Sequence, residues 1–221
     1  MDKKLLTPGP LTTSMSTKEA MLHDWGSRDQ KFIDLNQSIR DSLIKLIDGE
    51  GNYQCVPMQG SGTFAVEAMI GSVIQPEGKL LVLANGAYGD RLAQIAACLR
   101  IEHVVHDCGE LVRPDLVRLE TELADDDTIT HVVLVHNETT TGMMNPLGDI
   151  AAIVKAHGKI LLVDSMSAFG GVPLDIAELR IDYIVSSANK CIQGVPGFGF
   201  VIGRVEHLEK SKGWARSLSL D

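Results

Sequence analysis

The sequence predicts an α/β fold: a mainly parallel, mixed sheet with helices on both faces. Two observations carry that expectation. Short apolar runs at 79–84, 101–106, 131–136, 159–164 and 183–186 are separated by segments long enough for helices, which is the rhythm of strand–helix–strand units. The chain also has 221 residues, 44% of them hydrophobic, enough to bury one sizeable core.

The elements follow in chain order. Thr7-Pro8-Gly9-Pro10 contains two prolines that fix φ and lack donors, so this stretch is an extended arm or a turn. From 32 to 47, Phe32, Leu35, Ile39, Leu43, Leu46 and Ile47 recur at three-and-four spacing with Gly49 beyond, which predicts an amphipathic helix and its stop. A weak strand at 54–58 comes next. Helices are expected at 63–73, 88–97, 114–123 and 147–156 between the apolar runs, and a helix-like stretch lies near 205–212. Residues 1–25 are read as an N-terminal arm and 26–221 as one large domain. The end at Ser217-Leu218-Ser219-Leu220-Asp221 has neither helix stop nor polar tail, so a continuation is expected after it.

Composition narrows the function. With 20 Lys and Arg against 29 Asp and Glu, the formal charge is -9, a field that repels nucleic acid and anionic lipid. No apolar stretch is long enough to span a bilayer, and the start lacks a signal-peptide core. Cys55, Cys98, Cys108 and Cys191 have no paired spacing, so no metal site or disulfide framework is expected and a cytoplasmic setting is.

In open α/β sheets ligands bind beyond the carboxyl ends of the strands. After the strand at 54–58 comes Gly60-Ser61-Gly62-Thr63, leading into a helix whose free amides, dipole and hydroxyls can cradle a phosphate. An ordinary glycine turn with Ser61 as helix cap explains it equally well. The segment also fits the dinucleotide fingerprint, but the strand at 79–84 ends in Ala84-Asn85-Gly86 without the acid that would hold a ribose. Asp164 closes the strand at 159–164, where a carboxylate can keep a pyridinium nitrogen protonated or merely cap a loop. Lys190 stands in a small-residue loop after the strand at 183–186. Most lysines are solvated surface charges; apolar and glycine neighbours set Lys190 apart, as a candidate amine for attack on an aldehyde.

Taken with Asn85-Gly86-Ala87-Tyr88-Gly89, Glu138-Thr139-Thr140-Thr141-Gly142, Val163-Asp164-Ser165 and Asn189-Lys190, these segments resemble the class V, fold type I pyridoxal-phosphate aminotransferases over nearly the whole chain. The run Ser187 to Phe200 is most like the branch that acts on 2-aminoethylphosphonate and pyruvate. The resemblance implies pyridoxal 5'-phosphate as cofactor, with Ser61, Gly62 and Thr63 on its phosphate and Tyr88 stacked on its ring. It further implies Thr139 on the ring oxygen, Met166 against the ring, Asn189 beside the phosphate, Asp164 on the ring nitrogen and Lys190 in an imine. It implies a homodimer, small amine and 2-oxo acid substrates, and a smaller carboxyl-terminal domain that is missing here and would supply a substrate-gripping arginine. A serine- or alanine-glyoxylate aminotransferase, or an inactive cofactor-binding fragment, is the alternative. A cysteine desulfurase is disfavoured because Asn189 stands where that branch has a histidine.

Overall fold

The computed structural model describes residues 3–221. Its centre is a seven-stranded sheet in the order β1-β9-β8-β7-β4-β2-β3. The strands are β1 (Tyr53–Gln59), β2 (Lys79–Ala84), β3 (Glu102–Asp107), β4 (Ile129–Val135), β7 (Ile160–Asp164), β8 (Tyr183–Ser187) and β9 (Phe198–Arg204). Neighbouring strands from β3 to β8 are parallel, and β9 runs antiparallel to both β8 and β1. A two-stranded hairpin, β5 (Asn137–Glu138) and β6 (Met143–Met144), stands apart beyond β4.

The helices are α1 (Met15–Glu19), α2 (Gln30–Lys45), α3 (Gly62–Val73), α4 (Ala87–Cys98), α5 (Leu116–Asp125), α6 (Leu147–Ala156) and α7 (Val205–Lys210). Side-chain alternation along the strands divides the core in two. Leu81 and Leu83 of β2 join α2, α5 and α6 in one apolar cluster, whereas Leu80 and Val82 join α3 and α4 in the other. Both faces of the sheet are therefore covered, as near-continuous apolar strands require.

All five expected apolar runs and all four intervening helices fall within two residues of their expected bounds; β8 runs one residue beyond its expected end, to Ser187. The expected helix at 32–47 begins earlier, at Gln30, and ends at Lys45, followed by a turn. It is less deeply packed than its periodicity suggests: Leu43 is buried, but Ile33 and Leu35 stay exposed. The strand β9 was not anticipated, because Gly199 and Gly203 break the apolar pattern. A Cβ at Gly199 would lie 2.7 Å from Ala65 of α3, and one at Gly203 would lie 2.7 Å from the Tyr183 ring. Close packing across β9 selects glycine there at the expense of the strand signal.

Residues 7–10 are bends, as the prolines dictate. Among the described residues, no helix is long and apolar enough to cross a membrane.

Candidate active site

All nine residues singled out in the sequence line one pocket at the carboxyl ends of the strands: Ser61, Gly62, Thr63, Tyr88, Thr139, Asp164, Met166, Asn189 and Lys190. Five strand-end connections deliver them. The sheet order places β2 between β3 and β4, so the chain reverses direction across the sheet there, and a crevice opens at such a switch point.

The α3 turn forms one wall. Ser61 is the N-cap of α3, and its hydroxyl accepts from Phe64 N at 3.1 Å. The ordinary capping role is thus realised, and it leaves the amides of Gly62 and Thr63 with no acceptor among the described residues. Two free N–H groups at the positive end of a twelve-residue helix suit an anion. Glycine at position 62 lets Met166 rest on the turn: a Cβ there would lie 2.6 Å from the Met166 sulfur, which would have to move aside.

The floor is Asp164, the last residue of β7. Met166 N donates to its Oδ1 at 2.9 Å. Burial pushes its carboxyl up to about 6, the Met166 amide pulls it down, and the charge of Glu138 adds to the rise. Among the described residues the carboxyl has no cationic hydrogen-bond partner, so the site favours a ligand that brings a protonated nitrogen to it. Behind it, His136 N donates to Asp164 O at 2.7 Å, and His136 Nδ1 lies 3.1 Å from Ser165 Oγ.

Lys190 is half-buried in the turn after β8, where Gln193 N donates to Lys190 O and Gly194 N to Ala188 O. The Ser187 hydroxyl donates to Asn189 Oδ1 at 2.9 Å and orients that amide. The arm also reaches the site: a Cβ on Gly9 would lie 2.5 Å from Lys190 Cδ and 2.7 Å from Asn189 O. Only a residue without a side chain lets the arm lie along the lysine stem. Thr139 Oγ1 donates to Ser167 Oγ, which donates to Asn137 O, each at 2.9 Å.

Sequence reasoning missed Arg91, Ser187 and Gly9. Arg91 lines the pocket one helical turn after Tyr88, with Cζ 4.8 Å from the centroid of the Tyr88 ring and Nη1 3.5 Å from Thr63 Oγ1. The i to i+3 spacing of Tyr88 and Arg91 was the signal available for it. No group of three or more His, Cys, Asp or Glu that could hold a metal occurs among the described residues.

The sequence pattern of the family described as Aminotransferase class-V matches residues 14–217. The chain belongs to the class V aminotransferases. This family uses pyridoxal phosphate. The chain is 59% identical over 218 residues to the 2-aminoethylphosphonate–pyruvate transaminase of Vibrio vulnificus strain YJ016, covering 98% of this chain and 59% of that protein. It is 51% identical over the same length to the transaminase of that name from Salmonella typhimurium, with the same coverage. The chain thus spans about three-fifths of the length of these relatives. Among solved structures, the alanine–glyoxylate aminotransferase of Nostoc superposes with a TM-score of 0.89 at 27% identity, covering 98% of this chain and 57% of that one. The aspartate aminotransferase of Thermus thermophilus superposes equally well, at 0.89, with 24% identity over 99% of this chain and 61% of that one, a likeness of fold alone.

Proposed function

We propose that this class V chain is the cofactor-binding part of a transaminase that moves the amino group of 2-aminoethylphosphonate to pyruvate, giving phosphonoacetaldehyde and L-alanine. The observation that carries the reading is the meeting of Lys190, the buried Asp164 and the free amides of α3 around one pocket. The identity of 51–59% to transaminases of that name supports the substrate pair.

The residues fit pyridoxal 5'-phosphate. Gly62 and Thr63, with Ser61 and Asn189 beside them, would hold the phosphate; Tyr88 and Met166 would clasp the ring; Thr139 would turn its one hydroxyl proton from Ser167 to the ring oxygen; and Lys190 would hold it covalently. When bound, that group supplies the electron sink for charge developing at the substrate carbon. Asp164 would keep a proton on the ring nitrogen, and its buried setting favours a cationic partner. With its amine free, Lys190 would act as general base, taking the proton that the substrate carbon gives up, and as general acid when it hands that proton on.

The same reading divides the chain into an arm, residues 1–25, and the large domain, residues 26–221, with substrate-gripping groups supplied by a further, smaller domain. It includes a homodimer, for which exposed Leu6 and Leu22 near the amino end offer apolar surface, and a cytoplasmic setting.

Borohydride reduction of the chain with pyridoxal phosphate, followed by peptide mass mapping, should place the adduct on Lys190, and Lys190→Ala should lose both the adduct and the visible absorbance. An adduct elsewhere would sink the assignment of the lysine. With full-length protein, alanine formation from pyruvate should be faster with 2-aminoethylphosphonate than glyoxylate is aminated with serine or alanine; the reverse order would transfer the protein to the glyoxylate branch.

A further inference from the structure

Glu138 is fully buried, at 0% exposure. Its four hydrogen bonds come from neutral donors on two segments. Tyr88 N and Gly89 N reach Oε2 at 3.2 Å each, while the amide and hydroxyl of Thr140 reach Oε1 at 3.3 and 2.6 Å. The carboxylate therefore caps α4 from outside, since the helix's own N-cap, Gly86, has no side chain to do so.

Position 86 is emptied for this purpose. Its φ of 165° suits any residue, yet a Cβ there would lie 2.5 Å from Glu138 Cγ. A serine or aspartate at position 86 would cap the helix locally without burying a distant carboxylate. What a local cap cannot do is join two walls of the pocket. Glu138 joins the first turn of α4, which carries Tyr88, to the β5–β6 hairpin, which carries Thr139. A second buried clasp links the same two segments: Asn85 Nδ2 donates to Asn145 Oδ1 at 2.7 Å, and Asn145 Nδ2 donates back to Asn85 Oδ1 at 3.3 Å.

We infer that Glu138 is a positioning residue of the pocket, its buried carboxylate holding Tyr88 and Thr139 in fixed relation so that ring and hydroxyl grip a bound cofactor together. The inference rests on the reading of the pocket as a pyridoxal phosphate site. It concerns grip and orientation, because Glu138 reaches both residues through the backbone. Glu138→Gln preserves shape but removes the charge and turns one acceptor into a donor facing N–H groups.

The test loads the chain with pyridoxal phosphate and measures its dissociation constant and the visible circular dichroism of the bound chromophore, which reports how asymmetrically it is held. Relative to the unmodified chain, Glu138→Gln should raise Kd about tenfold or more and diminish the dichroism per bound cofactor, while the far-ultraviolet spectrum and the borohydride adduct on Lys190 stay unchanged. Equal Kd and dichroism in the two proteins would overturn the inference. If Glu138→Gln does not fold, Gly86→Ala carries the test, because it pushes the carboxylate out of place with its charge intact; the same loss is expected, and an unaltered grip overturns the claim. If the unmodified chain takes up no cofactor at Lys190, the pocket reading fails and this inference with it. If the unmodified chain binds and the variants bind alike, only the role of Glu138 fails.

Discussion

Burial at Asp164 sets the stability of the cofactor-free protein against the cofactor binding proposed for this site. The carboxyl is raised to about 6 mainly by desolvation, against an ordinary aspartate near 4. Between those values the folded chain binds the proton that the unfolded chain has released, so folding stability falls as pH rises from about 4 to about 6 and stays lowered above that. Two pH units correspond to about 3 kcal/mol. Asp164→Asn should therefore stabilise the cofactor-free chain at pH 7.5 by up to about 3 kcal/mol in urea unfolding, while pyridoxal phosphate binds less tightly. A variant that is no more stable than the parent would show that the carboxyl carries no such penalty. Asp164 and Lys190 were legible in the sequence because each stands among small residues at the end of an apolar run. Arg91 was not, since a helical arginine between Asp90 and Leu92 has the pattern of a solvated surface charge. Nor was Gly9, whose place depends on how the arm folds back over Lys190.

Three elements are fastened together at the sheet's other end by Asp182, which directly precedes β8. Lys155 of α6 pairs with its Oδ2, His207 Nε2 of α7 lies 3.2 Å from Oδ1, and Leu161 N of β7 donates to Oδ2 at 2.7 Å. Burial pushes this carboxyl up, but His207 and Lys155 outweigh it and hold it below the usual range. Asp182 and Lys155 expose only 1% and 11% of their side chains, so removing one partner leaves the other charge poorly solvated. Lys155→Met keeps the apolar stem and should cost about 3 kcal/mol by urea unfolding at pH 7; a loss below about 1 kcal/mol would mean that the pair behaves like an exposed one. This fastening could not be read from sequence, for Lys155, His207 and Leu161 lie 27, 25 and 21 residues from Asp182, and no local period links them. The parallel strands and their helices were legible because apolar runs such as Leu80 to Ala84 bury on both faces and leave an unbroken pattern. β9 was hidden because its register against α3 and Tyr183 demands glycine, the residue that least resembles a strand.

Over the whole molecule, two buried histidines oppose Asp164 in setting the response to acid. Burial lowers His131 and His136 to about 4 each, well under the ordinary value near 6.5. Below pH 6.5 the unfolded chain takes up protons that the folded chain refuses, so the stability these groups contribute is complete above 6.5 and is lost as pH falls to about 4. Each shift of about 2.5 units corresponds to about 3 kcal/mol, and the two together exceed the roughly 3 kcal/mol that Asp164 returns over nearly the same interval. The cofactor-free chain should accordingly lose about 3 kcal/mol between pH 7 and pH 4, a large fraction of a typical domain's stability. Replacing both histidines with asparagine removes the larger contribution and leaves Asp164 unopposed. In the difference between the parent and the double variant, changes in overall charge repulsion common to both proteins cancel. Urea midpoints measured at half-unit steps should fall with acid in the parent and fall much less, or rise, in the double variant. Parallel curves for the two proteins would show that neither histidine is held neutral by the fold.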